Sequence, residues 1–357
     1  MGAYIGVMLC LILFYSGLRR VELPLQRKVR TYAVTASVLV VLLLGLRHPS
    51  MGVDLGYGRS YGYLPSFAQI SAMQWRAVLG GQAFQNYEQG YVLLNKLLMA
   101  LGLGEQGLLL VCGALSVLPI GWMIGRYSAN CRTSFLIYLG LPAFFICFSG
   151  LRQGIALGIS FFAYRFAIEK RWKAYLGTIL LACLFHSTAI IAVLIYPALR
   201  VFPDRWARWV SLAGLGMLFV FRSELWNVIV RVTGRSIPAV HNGSIELMLL
   251  FCGIYLYMLL FSQGERHLEG LINVQYLACG ALIFAEVSQV AQRVGYYFML
   301  YLTLSLPEIL RGIRRKRGEM EYALHTLAVV GGFLLFGVYQ LRTNTWAMAW
   351  PYRFFWE

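Results

Sequence analysis

The sequence predicts an all-α polytopic membrane protein, and three observations carry that expectation. First, 59% of the 357 residues are hydrophobic and only 13% are charged, whereas soluble domains run about 45–50% apolar and about 25% charged. Second, apolar runs recur along the whole chain, each of roughly 15–20 residues, as helices crossing a hydrocarbon layer require. Third, short basic segments punctuate them: Arg19 to Arg30, Arg126 to Arg132, Lys170 to Lys173, Arg200 to Arg208, Arg266 and Arg311 to Arg317. Together these hold most of the 31 Lys and Arg. Placing them on the cytoplasmic side satisfies the positive-inside rule and leaves the N-terminus outside. The net charge of +16 is therefore a topology signal, and no nucleic-acid partner is expected.

The elements follow in order. The run from Ala3 to Leu18 has no basic n-region and no small-residue cleavage site, so it is expected to be a retained helix. Spans are predicted at 3–18, 31–46, 107–125, 133–149, 152–168, 174–186, 187–200, 208–222, 245–262, 271–289, 292–310 and 322–340, about twelve in all, within a single domain covering 1–357. The stretch 174–200 is too short for two full crossings, yet both flanks are basic, which predicts two short helices meeting at His186. Residues 47–106 form an outer loop with an interfacial helix over Val92 to Leu103, where Asn95 and Lys96 interrupt the apolar run. A second outer loop is expected over 223–244.

The seven cysteines are scattered, with no CxxC pair and no metal-ligand spacing, as suits small packing residues. There is no P-loop, no GxGxxG and no HExxH. No cofactor and no metal are expected.

Three ionisable side chains stand inside apolar runs: Arg152 within Phe144 to Ala156, His186 within Leu184 to Ala189, and Arg293 within Ala291 to Phe298. Such groups are costly in a membrane unless they face a wet cavity or a partner. In the predicted topology Arg47, Asp54, Glu88, Arg152, Gln153, His186, Glu286, Gln289, Gln292 and Arg293 all fall toward the outer side. Arginine recognises phosphate and pyrophosphate through a planar fork of donors. Histidine is suited to proton transfer near neutral pH. The tyrosines and glycines of Gly52–Tyr63 and Tyr87–Tyr91, beside carboxylates, suit a sugar. Each residue also has a structural role open to it. Arg152 can cap a helix or pair with Glu286, and His186 can bond a carbonyl. Asp54 can form a turn, Glu88 can favour a helix dipole, and Arg293 can snorkel.

The ordered elements Arg47…Gly52-Val53-Asp54…Tyr57, Glu88-Gln89-Gly90-Tyr91, Leu151-Arg152-Gln153-Gly154-Ile155-Ala156, Phe185-His186-Ser187, Arg293…Tyr297-Phe298 and Pro351-Tyr352 resemble the EpsG/Wzy-type family of bacterial exopolysaccharide and O-antigen polymerases. The resemblance covers nearly the whole chain. It implies a GT-C-type glycosyltransferase of the bacterial inner membrane. Such an enzyme transfers a growing glycan from undecaprenyl pyrophosphate onto a lipid-linked repeat unit at the periplasmic face. Its partners would be undecaprenyl-pyrophosphate-linked oligosaccharide, membrane lipid and a protein that sets chain length. On this basis Arg152, Arg293 and Arg47 would hold the pyrophosphate. His186, Glu88 and Asp54 are the candidates for catalysis, with the base left open among them. Gln153, Tyr57, Tyr91, Tyr296 and Tyr297 would contact the glycan. A lipid-linked oligosaccharide flippase and an O-antigen ligase or other GT-C enzyme are the alternatives.

Overall fold

The computed structural model describes residues 2–82, 84–233, 245–262, 266–343 and 347–357. Among them there is no β-strand, and nearly every segment is helical. The chain divides into two compact units: residues 1–190 with 325–357, and residues 191–324.

The first unit contains α1 (Gly2–Arg20), α2 (Leu25–Gly45), α3 (Tyr63–Ala72), α4 (Trp75–Leu79), α5 (Gln89–Ala100), α6 (Glu105–Tyr127), α7 (Cys131–Gly140), α8 (Pro142–Ser149), α9 (Leu151–Phe162), α10 (Tyr164–Ile168) and α11 (Trp172–Cys183). The second contains α12 (Ile195–Ala198), α13 (Arg205–Val220), α14 (Arg222–Thr233), α15 (Ile245–Phe261), α16 (Arg266–Ile283), α17 (Gln289–Met299) and α18 (Leu302–Arg317). The last helix, α19 (Glu319–Thr343), starts in the second unit and continues into the first.

Among the described residues, five helices are long and apolar enough to cross a membrane (α1, α2, α6, the Arg266–Glu286 segment and α19), or up to seven if each bent pair counts as one span. This is a multi-pass membrane protein. The twelve runs expected from the sequence and these five to seven differ because several runs are broken. Residues 133–149 fall on α7 and α8, which bend by 58° where Pro142 opens the second helix. The run 152–168 is divided between α9 and α10, and 292–310 between α17 and α18. The segment Trp206–Val220 bends by 74° into α14. The two short helices expected at His186 are present: α11 ends at Cys183 and a 3-10 helix begins at Ser187. Of the outer loop expected at 223–244, the part to Thr233 is helical and the rest lies outside the described residues.

In the first unit α6 lies between α2 and α9. Helices in lipid gain little from burying apolar surface against each other, so close approach through small residues has to hold them. On α9 a Cβ at Gly154 would stand 2.9 Å from Ser116 Oγ, and one at Gly158 would stand 2.5 Å from the Ser116 carbonyl oxygen. This explains why the Leu151–Ala156 motif carries glycine at its fourth position.

Arg47 holds together the end of this unit that carries the site. It is fully buried. Its Nη1 donates to the Leu44 carbonyl at 2.6 Å, and its Nη2 donates to the carbonyls of Phe148 at 3.0 Å and Cys147 at 3.3 Å. These are last-turn carbonyls of α2 and α8, which have no partners within their own helices and attract a cation. The C-terminal segment closes over the same place. His48 N–H donates to the Arg353 carbonyl, Phe355 N–H to that of Leu46, and the Tyr352 hydroxyl to that of Leu43. Replacing Arg47 with Leu leaves these carbonyls buried and unsatisfied. A loss of roughly 2–4 kcal/mol is expected, visible as a lower Tm and yield of the detergent-solubilised protein. Arg59→Leu, at an exposed position, should leave the melt unchanged; equal melts for the two variants would refute the assignment.

Candidate functional site

Glu88 is the N-cap residue of α5, yet its side chain does not cap that helix. The carboxylate reaches away from α5 instead. Oε2 pairs with Nη1 of Arg152. Oε1 accepts the Ser187 N–H at 2.9 Å and stands 3.4 Å from Nδ1 of His186. That last separation is within ion-pair range but too long for a well-formed hydrogen bond, and Nδ1 has no hydrogen-bond partner among the described residues. The backbone reinforces the join. Gly90 N–H donates to the Leu184 carbonyl at 2.9 Å, and a Cβ at Gly90 would stand 2.7 Å from that oxygen. Only glycine permits the start of α5 to lie this close to the break before His186.

Arg152 sits in the first turn of α9, where the helix dipole disfavours a cation. The penalty is offset by the Glu88 carboxylate, by the Asn86 carbonyl at 2.8 Å from Nη1, and by the Tyr63 hydroxyl at 3.3 Å from Nε. The guanidinium also lies 4.5 Å from the ring centre of Tyr87, a cation–π arrangement. Tyr63, Tyr87 and Tyr91 pack ring to ring with centroids 5.5–5.6 Å apart. The side chains of Arg152, Glu88 and His186 keep 15–18% of their surface accessible, so the group is recessed but reachable.

Burial alone pushes the Glu88 carboxyl up. The neighbouring His186, the Ser187 N–H and the Arg152 charge outweigh it and hold the group at about 2. Glu88 is thus a firm anion and a weak proton acceptor at neutral pH. Burial pushes the Tyr63 phenol up to about 12 against the pull of Arg152, so it remains a neutral hydroxyl.

Asp54 lies beside these residues, on the 3-10 turn Val53–Leu55, close enough to act electrostatically on Tyr63 and Tyr87. Its N–H donates to Ser149 Oγ at 3.1 Å. The turn is seated by Gly52, whose φ of +115° suits glycine and where a Cβ would stand 2.1 Å from the Phe148 carbonyl oxygen. The half-buried Asp54 carboxylate makes no hydrogen bond to another described residue. Tyr57 is exposed on the same loop, its ring edge-on to His48.

Asp54, Glu88, Arg152 and His186 are therefore brought together. Other expected site residues are placed differently. Both terminal nitrogens of Arg47 are committed to helix-end carbonyls, and the fully buried guanidinium offers no accessible fork. Gln153 is buried behind Arg152 on α9, and Tyr91 lies beneath Tyr63 and Tyr87 with no face open to a sugar ring. Arg293, half-buried, and Tyr296 and Tyr297, both buried, belong to α17 of the second unit. There too, Glu286 pairs with Arg222 at 2.8 Å, so the carboxylate partner of Arg152 is Glu88. Sequence reasoning missed Tyr63, Tyr87 and the Asn86 carbonyl as partners of Arg152. The one signal was that Tyr87 directly precedes Glu88. Among the described residues no cluster of His, Cys, Asp and Glu could hold a metal ion.

The sequence matches the EpsG family over residues 30–354. No curated protein and no solved structure matches it.

The depressed Glu88 carboxyl makes stability pH-dependent in a defined window. Its contribution is complete above the ordinary value of 4.5 and drains away as pH falls from 4.5 through about 2. Glu88→Gln removes this contribution, so the Tm gap between wild type and variant should be widest near neutral pH and shrink as the acid limb is approached. A gap that stays constant from pH 7 to pH 3 would show that Glu88 is not held as a paired anion.

Proposed function

The chain belongs to the EpsG family, and from that premise we propose that it is a polysaccharide polymerase. In this reading it transfers a glycan from undecaprenyl pyrophosphate onto the end of a lipid-linked repeat unit, at the periplasmic face of the bacterial inner membrane, on a GT-C-type scaffold whose broken segments complete about twelve crossings. The observation that supports it best is the recessed Arg152, held in a cradle of Glu88, Tyr63 and Tyr87 although its helix position disfavours a cation. A guanidinium held at such cost suits a ligand bearing a diphosphate.

The chemistry is displacement at an anomeric carbon. An acceptor hydroxyl attacks that carbon, the bond to the pyrophosphate oxygen breaks, and the hydroxyl proton leaves to a base. Arg152 would neutralise charge as it develops on the departing pyrophosphate. Of the three candidate bases, Glu88 is too weak a proton acceptor near neutral pH. We assign the proton to His186, with the Glu88 carboxylate facing the imidazole on its Nδ1 side and Asp54 orienting the acceptor. Arg47 becomes a framework residue beneath the site. Tyr57, exposed on the Gly52–Tyr63 loop, takes the glycan-facing position.

A gel of lipid-linked glycans from cells carrying wild type, no protein or single variants tests this. Wild type should give a ladder. Arg152→Ala and His186→Ala should collapse it toward single repeat units, with a loss on the order of 10²-fold or more for Arg152. The exposed Arg342→Ala should keep the ladder. If Arg152→Ala polymerises like wild type, the pyrophosphate assignment is wrong. Single units accumulating only on the cytoplasmic face would make the protein a transporter.

A further inference from the structure

α2 and α6 run antiparallel: Gly45, at the end of α2, meets Leu110 near the start of α6, and Ala33 meets Gly125 near its end. Toward the start of α2 the pair opens into a groove with a volume of 790 Å³. Its walls include Val29, Val34, Leu118 and Trp122, and its rim carries Arg30 and Arg126. No Asp or Glu lines it. Both arginines are exposed, and neither forms an ion pair or side-chain hydrogen bond with another described residue. Arg30 lies fifteen residues before Gly45, about 22 Å along the helix, so the groove is at the opposite end of α2 from Arg47 and the site above it.

We infer that this groove is a binding site for an anionic phospholipid. Two unneutralised guanidinium forks at the mouth suit a phosphate diester, and basic pockets between transmembrane helices are a recurrent setting for acidic headgroups. The apolar wall below them fits an acyl chain, which a free anion would leave unused. The exposed faces of Val34, Leu118 and Trp122 continue that wall outward, so a lipid can enter sideways from the bilayer. A helix from a partner protein would cover the wall but bring no phosphate to the forks. This site is independent of the polymerase reading, since it uses none of the residues around Glu88.

The test is native mass spectrometry of the full chain in detergent, titrated with phosphatidylglycerol, phosphatidylcholine or inorganic phosphate. Phosphatidylglycerol should be retained roughly tenfold better than phosphatidylcholine, as two cations near a headgroup allow. Arg30→Gln with Arg126→Gln should abolish the preference, while Arg19→Gln with Arg20→Gln, exposed cations outside the groove, should preserve it. Val34→Trp, which fills the groove with both charges kept, should lower retention of phosphatidylglycerol. Because all these positions are exposed, unchanged melting checks that each variant is folded. Equal retention of the two lipids, equal loss in the Arg19/Arg20 control, full retention by Val34→Trp, or displacement of phosphatidylglycerol by inorganic phosphate would each overturn the assignment.

Discussion

The carboxylate of Glu88 is the interaction on which the candidate site depends. One oxygen meets Arg152 from α9, and the other meets the Ser187 N–H and faces His186 beyond the break after α11. Two segments far from Glu88 in sequence thus converge on its two oxygen atoms. The arrangement solves two problems at once. It supplies a counter-charge to a guanidinium placed at the unfavourable end of a helix, and it ties down the Ser187 backbone beside His186 at the junction of two short helices. A buried ion pair stripped of one member leaves an uncompensated charge, which costs more than the pair contributes. Glu88 and Arg152 therefore stand or fall together, and the mutually packed rings of Tyr63, Tyr87 and Tyr91 lie beside them.

The membrane character was legible because it rests on composition and run length, which need no tertiary information. The breaks were less so. An apolar run that stays apolar on both sides of a kink looks continuous, and 133–149 reads as one span although Pro142 divides it. The break at His186 could be anticipated because the flanking cations left too few residues for two full crossings. Within the site, Arg152, Glu88, His186 and Asp54 each stand out as polar groups in apolar or glycine-rich settings, but their pairing leaves no mark in the sequence. Arg152 and Glu88 are 64 residues apart, and Glu286, an equally plausible partner for Arg152 on sequence alone, pairs with Arg222. Arg47 was harder still. Its partners are main-chain carbonyls, which every residue carries and which leave no mark in a sequence.

Packing of the first unit sets how accurately these groups are held. The glycines on α9 let that helix lie against Ser116 of α6, and Gly90 lets the start of α5 touch the Leu184 carbonyl. With little hydrophobic driving force between helices in lipid, such close backbone contacts are what keep a guanidinium and an imidazole at a common carboxylate. A scaffold of short, broken helices is consistent with this, since each break lets a polar residue turn inward without leaving a long stretch of backbone unpaired.

The clasp between residues 43–48 and 352–355 bears on how the protein is made. The first unit is discontinuous: its foundation around Arg47 precedes the whole second unit in the chain, and the strap that completes it follows that unit. Until then the end of α2 has waited, through the insertion of every intervening helix, without the strap that covers it. The end of α2 beneath the site is thus sealed only once Tyr352 to Phe355 have been made, and a chain interrupted before them would present that end uncovered.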